Sequence, residues 1–234
     1  METWELNGLT LEYDDDTHTY LVDGVIVPSV TQVLSVKFGK KYDHVDAETL
    51  KRACNYGTAV HKTIENYCTD GTDDGSRELR DFKFLKEHYK IKPMANEIPV
   101  IVSVDDKPIM AGRLDMVAEI NGAVAVADIK TTATLDKEYL AYQLNLYRIG
   151  LRQCYGIEAT ALYGIHLRHD KRKVVNIPIK ESFTYALIND YLEREKKNMI
   201  PIALLDWLYR NFGIVTEISN GKITNMYIEK GGNA

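Results

Sequence analysis

Alternating apolar and polar positions mark strands, and apolar positions three to four apart mark helices. On that basis the N-terminal region is a small β-meander. "LTLEY" and "TYLV" flank a turn at "DDDTH", and Asp23-Gly24 turns the chain into "VIV". Pro28 and Ser29 then open a short helix, "SVTQVLS". Residues 46–68 have helical spacing, with an interruption or kink expected near Gly57, and residues 76–90 form a charged amphipathic helix. "TDGTDDGSRE", 69–78, is an exposed loop between them. Next come "NEIPVIVSV", a turn near Asp105-Asp106, "IMAGRLDMVAEI", the hairpin signal Asn121-Gly122, and "AVAVADIKTT". Residues 136–154 are helical with Asp136 as cap. "ATALYGIHL" and "KVVNIPI" are strands around "RHDKR", and residues 181–198 form another helix. The tail carries a helix, "IALLDWLYRNF", and a hairpin around Asn220-Gly221. Helix, three strands, helix, strand is the order of a mixed α/β sheet flanked by helices.

The charges in "GAVAVADIKTT" stand apart from its apolar run. Asp128 and Lys130 are two positions apart and share one strand face. Burying such groups is costly unless they are paired or functional. A two-residue loop at Asn121-Gly122 makes positions whose numbers add to 243 face each other, so Asp115 falls opposite Asp128 and Arg113 opposite Lys130. Directly opposed side chains have Cβ atoms roughly 4.5–5.5 Å apart, where like charges repel. A hard cation such as Mg²⁺ or Mn²⁺ resolves that repulsion with oxygen ligands. A register slip by one residue would send the two aspartates to opposite faces.

Composition narrows the picture little. The 234 residues are 45% hydrophobic and 27% charged, with net charge −5 and pI about 5.7. The chain is long enough for one large domain, and we expect a single domain over 1–234. Its parts would be a meander and short helix to residue 45, a core over 46–180 and an extension over 181–234. The acidic balance excludes a generally DNA-coating protein but not an enzyme that must release a polyanion. Cys54, Cys68 and Cys154 are odd in number and lack CxxC spacing, so no disulfide framework or zinc site is expected. Reducing surroundings follow. The first residues lack basic and apolar signal regions, and no apolar run is long enough to span a membrane, so a cytoplasmic protein with no membrane partner is expected.

Four short motifs in order carry a family resemblance: "GTAVH" at 57–61, "GRLD" at 112–115, "DIK" at 128–130 and "QLNLY" at 143–147. Together they resemble the RecB-type branch of the PD-(D/E)xK nuclease superfamily, which includes phage exonucleases. The resemblance implies a restriction-endonuclease-like α-β-β-β-α-β core with the meander before it and the helix and hairpin after it. It implies Asp115, Asp128 and the main-chain carbonyl of Ile129 as ligands of one or two Mg²⁺ or Mn²⁺ ions, with His61 as a further ligand. Lys130 would orient or deprotonate the attacking water. Gln143 and Tyr147, one helical turn apart, would support the lysine and contact DNA. Gly-Arg-Leu-Asp in place of Pro-Asp is normal for this branch. Some relatives hold an iron–sulfur cluster on four cysteines; three cannot, and no cluster is expected.

The implied activity is metal-dependent hydrolysis of DNA phosphodiesters, foremost by an exonuclease of phage-type recombination, replication or repair. The partners would be DNA ends and a recombination or single-strand-binding protein, in the bacterial host cytosol. A structure-selective or single-strand endonuclease is the alternative within the class. A catalytically silent DNA-binding module and a metal-binding hairpin in an unrelated enzyme are the alternatives outside it. Arg113, Tyr147 and Arg148 are the substrate-binding candidates. Tyr139, Tyr142, Arg152, His166, His169 and Lys171–Lys173 add aromatic and basic groups suited to single strands, although each taken singly is more often packing or solvated surface. Glu65 lies one turn beyond His61, where an ordinary pair with Lys62 weighs slightly more than a metal role. Glu97 opens the strand before "GRLD" and is a candidate for a supporting role. "YDDDTH" at 13–18 reads as a solvated turn, and Cys54 and Cys68 as small apolar residues.

Overall fold

The structure, a computed structural model, describes residues 1–39, 44–169, 171–198, 214–219 and 222–228. Its elements run β1 (Glu2–Leu6), β2 (Leu9–Asp14), β3 (Thr19–Val22), β4 (Val25–Val27), α1 (Val30–Phe38), α2 (Ala47–Asp70) and α3 (Arg77–His88). Then come β5 (Lys92–Val104), β6 (Lys107–Ile120), β7 (Ala123–Lys130), α4 (Lys137–Tyr155), β8 (Ala161–Arg168), β9 (Lys171–Ile177) and α5 (Glu181–Asn198). A separate hairpin, β10 (Ile214–Ser219) and β11 (Lys222–Ile228), completes them. The chain divides into two compact units, Met1–Tyr185 and Ala186–Ala234. The helix expected at "IALLDWLYRNF" and the Asn220-Gly221 turn lie outside the described residues.

The mixed α/β architecture is the expected one. A five-stranded sheet has order β5-β6-β7-β8-β9, antiparallel except for the parallel pair β7·β8. Parallel neighbours need a long crossover, and α4 supplies it. The meander is a four-stranded antiparallel sheet, β1-β2-β3-β4. Its first strand was not anticipated, although Asn7-Gly8 is a hairpin signal; both residues have positive φ, 50° and 82°. The meander packs Leu6, Leu11, Tyr20, Val22 and Val27 against Ile101 and Ala111 of the large sheet. Pro28 accepts a hydrogen bond from the Ala111 N–H, and Ser29 caps α1 through a reciprocal box with Gln32.

Helix α2 is continuous through Gly57, contrary to the expected interruption. A Cβ at Gly57 would lie 3.2 Å from the Thr131 hydroxyl, so the glycine permits a close approach to the end of β7 rather than a break. The helix runs to Asp70 and ends at Gly71 in the left-handed conformation, which shortens the expected loop. Val60 and Ile64 of α2 join Leu79, Phe82 and Leu85 of α3 over one face of the sheet, where Met116, Ala118, Ile120, Ala125, Ala127 and Ile129 meet them. Alternation sends Asp128 to the opposite face of β7. There Gly164, its cross-strand neighbour, leaves room for Leu140 of α4; a Cβ would sit 2.4 Å from that leucine's Cδ2.

Candidate functional site

The Asn121-Gly122 hairpin holds the predicted register: Ile120 faces Ala123 and Met116 faces Ala127. The ladder ends there. One step on, the Asp115 carboxylate takes over, accepting the Ile129 N–H at 2.7 Å. Both strands thus deliver an aspartate at the point where main-chain pairing stops. It is the Ile129 N–H that is tied to Asp115; its carbonyl was the group expected to serve as a ligand. Asp128 is 1% exposed, and its Oδ2 lies 2.6 Å from Lys130 Nζ. That contact is off hydrogen-bonding geometry, leaving Asp128 Oδ2 a buried acceptor without an aligned donor.

Helix α2 brings His61 to the pair, with Nδ1 3.4 Å from Asp115 Oδ2. Glu97 of β5 completes a group: ligand atoms of His61, Glu97 and Asp115 all lie within 4.8 Å of one another. Asn96 pairs with Met116 and Ile98 with Leu114, which sets Glu97 across from Asp115. The turn signal at Asp105-Asp106 alone would not have found it. That hairpin starts with Val104 facing Lys107, which extrapolates to Asn96 opposite Asp115. A bulge between Val102 and Ser103 shifts the register by one and brings in the glutamate. Glu97 also has a φ of 50°, the left-handed region that non-glycine residues rarely occupy.

The electrostatics are those of crowded carboxylates. Burial, then the charge of Asp115, pushes Asp128 up to about 6, against the pull of Lys130. Burial and Asp115 likewise push Glu97 up to about 7. Burial alone would depress His61, but Asp115 and then Asp128 outweigh it and raise the imidazole to about 9. Burial also works against the Lys130 ammonium, and Asp128 and Asp115 more than compensate, so its pKa is raised. Asp115 is lowered: burial opposes ionisation, but His61 prevails.

Helix α4 closes one side. Gln143 and Tyr147 are both buried, and Gln143 Oε1 is a second acceptor without a hydrogen bond. Burial and the neighbouring aspartates hold the Tyr147 hydroxyl well above its usual range. The glycine of "GRLD" is explained by this helix, because a Cβ at Gly112 would lie 3.0 Å from Tyr147 Cε1 and 3.2 Å from Val30 Cγ2.

Several expected substrate contacts are occupied elsewhere. Arg113 does not join Lys130 in a basic pair. It turns to the meander, 2.6 Å from Glu2 and stacked over Trp4 and Tyr13, because β1 supplies a carboxylate and one aromatic face and β2 the other. Arg148 is built into the fold, pairing with Glu158 and Glu181 and donating to the Ala159 carbonyl. Arg152 also joins Glu181. Tyr139 and Tyr142 pack edge-on against Phe38. The basic groups of the β8–β9 hairpin clamp the chain leaving the site: Arg168, His166 and Lys171 reach the successive carbonyls of Thr131, Thr132 and Ala133. Glu65 pairs with Lys62, and the 13–18 segment is a hydrogen-bonded turn.

No protein-family model and no curated protein matches the sequence. Among solved structures, the crystal structure of SSO0001 is similar at 17% identity, covering 71% of this chain and 75% of that one, with a TM-score of 0.42. That likeness is too loose to bear on the site. No helix among the described residues is long and apolar enough to cross a membrane.

Proposed function

We propose that this protein is a metal-dependent nuclease that hydrolyses DNA phosphodiester bonds. The observation that carries the reading is the group formed by His61, Glu97 and Asp115, with the buried Asp128–Lys130 pair on the neighbouring strand end. The donor set fits a hard divalent cation: carboxylate oxygens predominate, one imidazole is within reach, and Asp128 Oδ2 is buried with no donor aligned to it. His61, Asp115, Asp128 and Glu97 are the residues that would hold Mg²⁺ or Mn²⁺. When bound, such an ion lowers the pKa of water and offsets charge on the phosphate.

The chain's own groups have separable tasks. Lys130 stays protonated between the two aspartates, so it acts as a hydrogen-bond donor that orients water or a phosphate oxygen. Asp128 keeps that ammonium in place. Asp115 fixes the strand end through the Ile129 N–H and orients His61. Gln143 and Tyr147, both buried, wall the α4 side of the site. Retention of both aspartates and the lysine weighs against a catalytically silent DNA-binding module on the same fold. The preference for an exonuclease of phage-type recombination or repair rests on the motif resemblance.

The test uses end-labelled single- and double-stranded linear DNA and covalently closed circles, with Mg²⁺, Mn²⁺ or EDTA. Linear DNA should be degraded only with metal. Asp128→Asn and Lys130→Ala should each lose on the order of 10²–10³-fold or more in rate while remaining folded. Metal-dependent cleavage by Asp128→Asn at the wild-type rate would overturn the assignment. Cutting of closed circles would move it to an endonuclease.

A further inference from the structure

A cavity lies along the N-terminal half of α2. It encloses about 290 Å³ and is lined by Thr49, Arg52, Ala53, Tyr56, Arg168 and His169. That is at the small end of ligand pockets, roughly 300–1,000 Å³. The whole chain carries a net charge of −5, yet among the described residues that line this cavity none is a carboxylate. One lining residue ties it to the chain leaving β7. Arg168 donates to the Thr131 carbonyl at 2.7 Å, and Thr131 follows Lys130. Tyr56 precedes His61 by five residues on the same helix, about 7.5 Å along its axis.

We infer that this cavity is a subsite for one nucleotide of single-stranded DNA, flanking the phosphate that is cleaved. The inference rests on the nuclease reading for its place in a reaction, but its ligand chemistry is independent. Tyr56 and His169 are nearly parallel, 15° between planes, with centroids 6.3 Å apart. The Tyr56 ring is held by a 2.6 Å hydrogen bond from its hydroxyl to Glu78, and Arg168 lies over it at 5.6 Å. His169 is exposed and holds a left-handed φ of 47°. Together these rings offer a base two stacking faces. Arg52 supplies phosphate contact: its own partners are exposed and replaceable, Thr49 at 3.1 Å and Glu48 at 3.9 Å. An aromatic platform beside guanidinium groups suits an unpaired strand, because a duplex hides its base faces.

The test measures binding of fluorescein-labelled dT10, the same oligomer with abasic spacers, and a hairpin duplex. It uses anisotropy with the full chain in EDTA, so that nothing is cut. Arg52→Ala and His169→Ala change exposed side chains and leave the core intact. Each should weaken dT10 binding on the order of ten-fold and duplex binding less than two-fold. His169→Ala should leave the abasic oligomer's affinity unchanged, and Arg52→Ala should reduce the salt slope by about 0.7. Tyr56→Leu gives an independent reading of the platform, checked for folding by circular dichroism. Wild-type dT10 affinity in both Arg52→Ala and His169→Ala overturns the subsite. Parallel cleavage assays in Mg²⁺ separate the two ideas. A wild-type chain that binds dT10 through these residues but cuts nothing overturns the nuclease reading alone. A chain that cuts, with variants that bind normally, overturns the subsite alone.

Discussion

Glu97 gives the sharpest physical test of how the site is built. Its pKa is raised from 4.5 to about 7, by burial first and then by the charge of Asp115. A carboxyl whose folded pKa exceeds its unfolded one binds more protons in the folded state between those values. Its contribution to stability is therefore complete below pH 4.5 and is lost as pH rises through 7. The shift converts to about 3.4 kcal/mol at 1.36 kcal/mol per unit. Solvent still reaches this half-buried group, so about 1–2 kcal/mol is the expected effect. Glu97→Gln mimics the protonated form. In metal-free buffer the variant should match wild type near pH 5 and exceed it by about 1–2 kcal/mol at pH 8. That corresponds to about 2–8 °C in Tm for a unit of this size. Subtracting the two profiles cancels the other carboxylates. Adding Mn²⁺ should reverse the order, because binding at a hundred times Kd stabilises wild type by about 2.7 kcal/mol and the variant by less. Parallel pH profiles for the two proteins from pH 4.5 to 8.5 would refute the reasoning.

Two further changes probe how the site is supported. Gly112→Ala forces a methyl against Tyr147 and Val30. Overpacking of about 1–3 kcal/mol, less about 0.4–1 kcal/mol gained through the unfolded chain, should lower Tm by about 1–8 °C. Val30→Ala in the same chain should recover part of that loss, and strict additivity in the cycle would contradict the contact. Arg148→Ala should cost about 1–3 kcal/mol by thermal unfolding, since it removes the ion pairs to Glu158 and Glu181 and frees the Ala159 carbonyl. An unchanged Tm with weakened DNA binding would return this arginine to the substrate surface.

The hydrophobic pattern and the Asn121-Gly122 turn were enough to determine the mixed α/β class, the β6–β7 register and the meeting of Asp115 with Asp128. Those features are local: strand period is two residues, and a two-residue turn sets pairing without knowledge of the rest of the chain. Lys130 followed from the same alternation. What the sequence could not decide was which partner each long side chain would take. Arg113 had two options, the strand face it shares with Lys130 and the meander, and Glu2 with Trp4 and Tyr13 won because tertiary packing brought them nearer. Arg148 was claimed by Glu158 and Glu181 for the same reason. Glu97 entered the site through a one-residue bulge, which no propensity encodes and which shifts the register of the strand from Val102 back to Ala95. Gly57 reads locally as a helix break, yet in the fold it is the point where a long helix touches the end of β7. Register belongs to neighbouring residues, whereas ion-pair choice and close approach belong to distant ones, and only the folded chain brings those together.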